Sequence, residues 1–212
     1  MAKRRGPDRW IFDVWSRFYD APLVQRMTYR PEQDAVLDGL RRSGAKRVLD
    51  IGCGTGLLAG LIGRELPGVA VVGCDFSGGM LEKAAENAPR ARLARGSAGA
   101  LPFRDGSFET VISTEAFHWF PDQLAALREF HRVLVPGGRM LVSLIHPHLE
   151  SMSRYGDWMM RLIGEPAHWP TRKAMREQVE EAGFRVEAQR FVMRLPATFV
   201  LPSFLTEAER PA

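Results

Sequence analysis

Short apolar runs alternate with stretches of helical period along most of this chain. Val48, Leu49 and Ile51 form a compact run that predicts a buried strand, and Leu57-Leu-Ala-Gly-Leu-Ile62 begins a helix. Pro67-Gly68 marks a turn, after which Val69 to Cys74 predicts a second strand. Ser77 stands where a helix cap belongs, ahead of Met80, Leu81 and Ala84-Ala85. Arg90 to Ala94 reads as a weak third strand, Phe108 to Ser113 as a fourth and Arg139 to Ile145 as a fifth. Between the last two, Leu127, Phe130, Val133 and Leu134 recur at helical spacing within Leu124 to Leu134, and Pro136-Gly137-Gly138 ends that helix. Helices alternating with short apolar strands predict an α/β domain, a parallel sheet covered on both faces.

The two flanks read differently. Trp10, Phe12, Trp15, Phe18, Tyr19 and Tyr29 crowd the first thirty residues, with Phe12, Trp15 and Tyr19 on one helical face. Pro31 suits the start of a second helix through Leu40. Residues 10–40 are therefore expected to form an N-terminal helical cap, whose aromatics either close over a ligand or pack against the sheet. Residues 146–170 are expected to form a helical insertion or lid after the fifth strand, with a helix from Ser151 to Ile163. Thr171 to Ala182 predicts another helix, stopped by Gly183, and Phe184 to Val192 a strand. Ala197 to Leu201, between Pro196 and Pro202, fits either a short final strand or an apolar tail.

Composition narrows the setting. With 212 residues, 45% of them hydrophobic, the chain can bury one substantial core, so residues 1–212 read as a single domain. There is no signal-peptide pattern and no run near the ~20 apolar residues of a membrane span, so a cytoplasmic location is expected. Cys53 and Cys74 read as a reduced pair, with a disulfide as the alternative. The net charge of +4 sits in small groups such as Lys3-Arg4-Arg5 and Arg41-Arg42. That gives weak general attraction to anions and no pattern for specific nucleic-acid binding. A small-molecule substrate is expected, on a monomer or homodimer.

The densest chemistry lies where the first strand meets its helix. Gly52, Gly54 and Gly56 form a glycine-rich turn between strand and helix N-terminus, where backbone can approach a ligand closely. Asp75 ends the second strand, 19 residues beyond Gly56, where a Rossmann-like unit holds a ribose. Glycine turns of this kind serve nicotinamide and flavin enzymes too. Asp50, just ahead of the turn, would repel a pyrophosphate but suits a ligand carrying an ammonium group and a sulfonium centre.

Four segments carry a more specific likeness: Val48-Leu-Asp-Ile-Gly-Cys-Gly-Thr-Gly56, Val72-Gly-Cys-Asp-Phe-Ser-Gly-Gly-Met-Leu81, Ala100-Leu-Pro-Phe-Arg-Asp-Gly-Ser-Phe-Glu-Thr-Val111 and Leu127-Arg-Glu-Phe-His-Arg-Val-Leu-Val-Pro-Gly-Gly138. In this order they resemble the class I S-adenosylmethionine-dependent methyltransferases, in particular the small-molecule group with the quinone-biosynthesis and trans-aconitate enzymes. The resemblance implies a Rossmann-like, seven-stranded, mostly parallel sheet with its last strand antiparallel. It implies S-adenosyl-L-methionine as cofactor and S-adenosyl-L-homocysteine as product. By similarity, Asp50, Gly52 and Gly54 line the methionine portion, Asp75 takes the ribose hydroxyls, and Phe76 or Met80 flanks the adenine. Ala98 follows the position whose backbone reads the adenine ring. Ser97 departs from the Asp common there in relatives, though its oxygen can still accept a hydrogen bond. Glu115 has two open readings, a group near the methionine end or a capping acid.

Methyl transfer from a sulfonium needs alignment and water exclusion more than covalent help. A base helps only if the acceptor is a neutral hydroxyl or an acidic carbon. His118, in Phe117-His-Trp-Phe120, is the candidate base; its alternative is an orienting histidine. Tyr19, Tyr29, Trp119, His146, His148, Trp158 and Trp169 are the candidate pocket residues, while His131 reads as structural and no metal is expected. This supply of aromatics favours O- or C-methylation of a small apolar or aromatic acceptor. Arg30, Arg154 and Arg161 keep a small carboxylic acid open as the acceptor, and a non-catalytic cofactor-binding protein is the alternative of another class.

Overall fold

The computed structural model describes residues 29–145, 150–162, 167–192 and 203–212, without the side chains of residues 150, 152, 153 and 160–162. The apolar runs become β1 (Arg47–Ile51), β2 (Ala70–Asp75), β3 (Arg92–Arg95), β4 (Phe108–Thr114), β5 (Leu134–Ile145), β6 (Arg185–Val192) and β7 (Ser203–Glu209). They form one seven-stranded sheet in the order β3-β2-β1-β4-β5-β7-β6. The first five strands pair in parallel, and β7 runs antiparallel to both β5 and β6.

Helices cover both faces. α1 (Arg30–Ser43), α2 (Leu57–Glu65) and α3 (Gly78–Asn87) are followed by α4 (Gln123–Val133), α5 (Glu150–Leu162) and α6 (Arg172–Glu181). Val36, Leu37 and Leu40 of α1 and Leu58 and Ile62 of α2 share a core with Val48, Ile112 and Leu141. On the opposite face Leu127, Phe130 and Val133 of α4 and Met175 and Val179 of α6 pack with Val111, Met140 and Val142. Alternate residues of β4 and β5 thus enter opposite cores, as the two-residue period of a strand requires. Helix entry follows local chemistry. The Ser77 hydroxyl accepts the Met80 N–H at 3.3 Å, and the Asp122 carboxylate and Thr171 hydroxyl cap α4 and α6 in the same manner.

Two boundaries differ from the sequence expectation. β5 begins at Leu134 rather than Arg139: Leu134 pairs with Phe108, then Val135 to Gly138 loop outward before Arg139 pairs with Thr110. Gly137 makes that excursion at φ +73, and its N–H donates to the carbonyl of Arg210, whose own N–H donates to Gly138. The final strand is Ser203–Glu209, beyond the expected stretch 197–201, which lies outside the described residues. Ser203–Glu209 pairs on both sides, with β5 and with β6.

Cys53 and Cys74 are both free. The Sγ of Cys53 lies against Gly73, whose neighbour Cys74 points to the opposite face of β2, so the sheet separates the two sulfurs. Burial pushes both thiols up, which makes them poor nucleophiles. No described helix is long and apolar enough to cross a membrane.

Candidate active site

β1 has β2 on one side and β4 on the other, so the chain order reverses at β1 and leaves a crevice beyond the carboxyl ends of these strands. The candidate cofactor residues gather there. Asp50 sits on β1, Asp75 ends β2, Ser97 and Ala98 follow β3, and Glu115 follows β4.

The glycine turn is held from below, where the N–H groups of Gly52 and Cys53 donate to the Cys74 carbonyl at 2.8 and 3.2 Å. Gly52 has φ +69, and a Cβ there would lie 2.4 Å from the Ala116 Cβ, so the turn touches the loop after β4. Gly54 has φ +53 and nothing within 4 Å of a Cβ, which leaves its outer side open to a ligand. The Asp75 carboxylate accepts the Gly54 N–H and the Ser77 N–H, each at 2.9 Å, and so welds the turn to the end of β2. Burial raises the Asp75 carboxyl above its ordinary range while these backbone bonds oppose the rise. A carboxylate has about four lone-pair sites, so capacity remains for a diol.

Asp50 is 1% exposed, and its Oδ2 has no hydrogen-bond partner among the described residues. Burial, with a smaller contribution from Asp75, pushes its carboxyl up to about 7 from 3.8. Burial with one oxygen unpaired favours the neutral carboxyl, and a neighbouring cation would favour the charged form. Phe76 follows Asp75 and is 52% exposed, and Met80 is half-buried in the first turn of α3. The Ser97 carbonyl accepts the Ala100 N–H in a tight bridge that buries Ala98 and leaves Ser97 exposed. Glu115 has φ +51, a left-handed conformation that no other non-glycine residue adopts among the described residues, and its N–H donates to the Ser143 carbonyl. Such strain is retained where a chain must turn sharply at a site.

A pH dependence follows from Asp50. Its folded pKa lies above the unfolded one, so the fold binds the extra proton, and this group's contribution to stability is full below about pH 3.8 and lost as pH rises to about 7. A cation bound beside Asp50 favours the ionised form, so binding should release a proton below pH 7. Asp50→Asn is expected to raise the melting temperature of the unliganded protein at pH 8 while weakening affinity for the cationic cofactor. Calorimetry across buffers of different ionisation enthalpy measures the proton, and no buffer dependence at pH 6 would exclude the coupling.

On the other side of the turn stands an aromatic group. A short 3-10 helix, Phe117–Trp119, follows β4. The buried His118 ring stacks on Trp169 at 4.9 Å and 19°, and Trp119 contacts Trp169 edge-on at 6.3 Å. The segment carrying Trp169 is fixed by the His168 N–H donating to the His118 carbonyl at 2.8 Å. Gly156 of α5 faces the Trp169 ring, and the Asp157 carboxylate pairs with the His168 Nδ1. Thus His118, Trp119 and Trp169 come together. Trp158 instead lies on the outward side of α5, 54% exposed and beside Tyr155. Tyr29 immediately precedes α1, while Tyr19, His146 and His148 lie outside the described residues. Arg30 pairs with Asp34 and Glu65, and the Arg161 side chain is not described. His131 packs edge-on against Phe184, in keeping with a structural role. No three His, Cys, Asp or Glu side chains gather as a metal site among the described residues.

Sequence reading missed three participants: Ala116, which meets the glycine turn, and Asp157 and His168, which tie α5 to the aromatic group. Spacing carries no signal for them, because each contact joins separate elements of the fold.

Comparison with known proteins agrees with this geometry. Residues 49–142 match the family described as Methyltransferase domain. The chain is 30% identical over 219 residues to phthiotriol/phenolphthiotriol dimycocerosates methyltransferase 1 of Mycobacterium ulcerans, covering 99% of this chain and 78% of that protein. It is 31% identical over 205 residues to demethylmenaquinone methyltransferase of Streptomyces avermitilis, covering 85% and 87%. Among solved structures, a chain of the complex between the Haloferax volcanii Trm112 methyltransferase activator and a methyltransferase shares the fold, with TM-score 0.76, 23% identity and coverage of 95% and 98%. With the sheet order, the glycine turn and this similarity in hand, the chain belongs to the class I S-adenosylmethionine-dependent methyltransferases of the small-molecule type.

Proposed function

We propose that this enzyme methylates an oxygen or carbon of a small apolar or aromatic acceptor, taking the methyl group from S-adenosylmethionine. One observation carries the reading: the aromatic group of His118, Trp119 and Trp169 stands next to the glycine turn, joined to it through Ala116. Such a wall offers apolar and π contact to an acceptor and few groups for a carboxylate. Arg30, a candidate carboxylate holder, is already paired with Asp34 and Glu65. The names of the two relatives, a methyltransferase of phthiotriol or phenolphthiotriol dimycocerosates and one of demethylmenaquinone, support an acceptor bearing a hydroxyl or quinol on an apolar body.

The residues at the crevice fit the cofactor. The carboxylate of Asp50 would face its ammonium group, Gly52 and Gly54 would give backbone room, Asp75 would accept the ribose hydroxyls and Phe76 would flank the adenine. When bound, the cofactor supplies a methyl group on a sulfonium sulfur, already activated for direct displacement. The chain's own work is to hold the acceptor in line, exclude water and, for a hydroxyl acceptor, take its proton. Alignment supplies the larger share of the rate. The imidazole of His118 would accept that proton.

Transfer of labelled methyl to a quinol, such as demethylmenaquinone reduced beforehand to its quinol, compared with a small dicarboxylic acid, tests the acceptor class. Preference for the acid would overturn the reading. His118→Gln is expected to lower turnover on a hydroxyl acceptor about 100-fold and remove the acidic limb of the pH profile, with cofactor affinity kept. Unchanged turnover and profile would exclude the base role and leave His118 as an orienting group.

A further inference from the structure

Gln123 is the first residue of α4 and is buried at 7% exposure, yet it is neither a core residue nor part of the cofactor crevice. Its Nε2 donates to the Phe117 carbonyl at 3.2 Å and to the His168 carbonyl at 2.8 Å. The first acceptor lies in the turn that carries His118 and Trp119. The second lies in the segment that carries Trp169, 45 residues further along the chain. The same segment is joined to the turn by the His168 N–H on the His118 carbonyl. Gln123 therefore spans the two loops whose side chains stack as His118 on Trp169.

The arrangement carries a cost. The Gln123 Oε1 is buried with no hydrogen-bond partner among the described residues, and an orphaned buried acceptor typically costs ~1–3 kcal/mol. A leucine or methionine of similar volume would fill the site without that penalty. What an apolar residue lacks is a pair of donors for two carbonyls from separate loops.

We propose that Gln123 is a positioning residue for acceptor binding: its amide fixes the 167–170 segment against the Phe117–Trp119 turn and so holds the His118–Trp169 stack in register. The kinetic consequence rests on the acceptor side of the site being where we place it; the stack itself does not. Gln123→Glu keeps the shape but loses the donors, and Gln123→Met keeps the volume without polarity. Both should bind S-adenosylhomocysteine within about threefold of the parent protein by calorimetry. Their KM for the quinol acceptor should rise at least tenfold, and kcat should fall with it as His118 loses its register.

A spectroscopic cycle tests the stack without any acceptor. Emission from Trp169 is isolated by subtracting the spectrum of the matching Trp169→Phe protein. In the parent protein His118→Gln should change that emission, because the imidazole lies against the indole. In the Gln123→Glu and Gln123→Met backgrounds the same change should shrink to less than a third. An undiminished change in both backgrounds, or loss of folded structure in both, would overturn the positioning role. A lost stack with unaltered acceptor KM would sink the link to acceptor binding. If the parent protein transfers no methyl to the quinol, the acceptor reading fails while the cycle still decides the role of Gln123.

Discussion

Asp75→Ala is expected to weaken binding of S-adenosylhomocysteine about 100-fold, as read by calorimetry. Its two carboxylate oxygens stand at the end of β2, 2.9 Å from the Gly54 and Ser77 N–H groups, at the rim where a ribose would lie. Hydrogen bonds to a charged acceptor contribute ~1.5–3 kcal/mol each, and ~1.4 kcal/mol is tenfold in affinity. Losing two such bonds, with water compensating part, gives the stated loss. Alanine also frees the two backbone donors, so the turn loses its tie to β2 and the unliganded protein should melt slightly earlier. Asp75→Asn, which keeps one acceptor oxygen, should fall between. Unchanged affinity in the alanine variant would remove Asp75 from ribose recognition.

A paired substitution in the glycine turn separates folding from binding. Gly52→Ala places a Cβ 2.4 Å from the Ala116 Cβ at φ +69, so it meets both a clash and a left-handed backbone. Overpacking costs ~1–3 kcal/mol and the left-handed conformation ~1–2 kcal/mol, which together predict a fall in melting temperature of about 10 °C. Gly54→Ala meets no atom within 4 Å at φ +53, so it has only the backbone strain to carry. Its melting temperature should drop by a few degrees, about 2–4 °C. Its new methyl group would project toward the proposed cofactor position, so affinity should fall at least tenfold. Equal loss of stability in both variants, or full cofactor affinity in Gly54→Ala, would contradict this division between a glycine that packs and a glycine that makes room.

Much of the site was readable because its residues lie at the ends of strands that announce themselves locally. Val48 to Ile51 and Val71 to Asp75 are apolar runs ending beside a glycine or an acid, and the structure places Asp50, Asp75 and the turn together at the β1 switch point. Ser77 was recognisable as a cap from its own side chain, because capping is decided within three residues. The aromatic residues were harder. Trp119, Trp158 and Trp169 look equivalent in sequence, yet Trp169 stacks on His118 while Trp158 faces outward. Which side of α5 turns inward is decided by Gly156 against Trp169 and Asp157 on His168, contacts made only after the chain has folded.

The sequence by itself determined the alternation of strands and helices, the glycine turn, the carboxylates of Asp50 and Asp75 and the kinship of the chain. All of these are written in short-range periodicity and local backbone chemistry. Only the tertiary structure decided that β7 is Ser203–Glu209 and enters between β5 and β6, because strand order depends on pairing between distant segments. It alone decided that Asp50 is buried with its Oδ2 unpaired among the described residues, that Gly52 packs while Gly54 stands open, and that Gln123 ties two loops. Burial, clearance and long-range hydrogen bonds belong to the space between elements, and no run of neighbouring residues encodes that space.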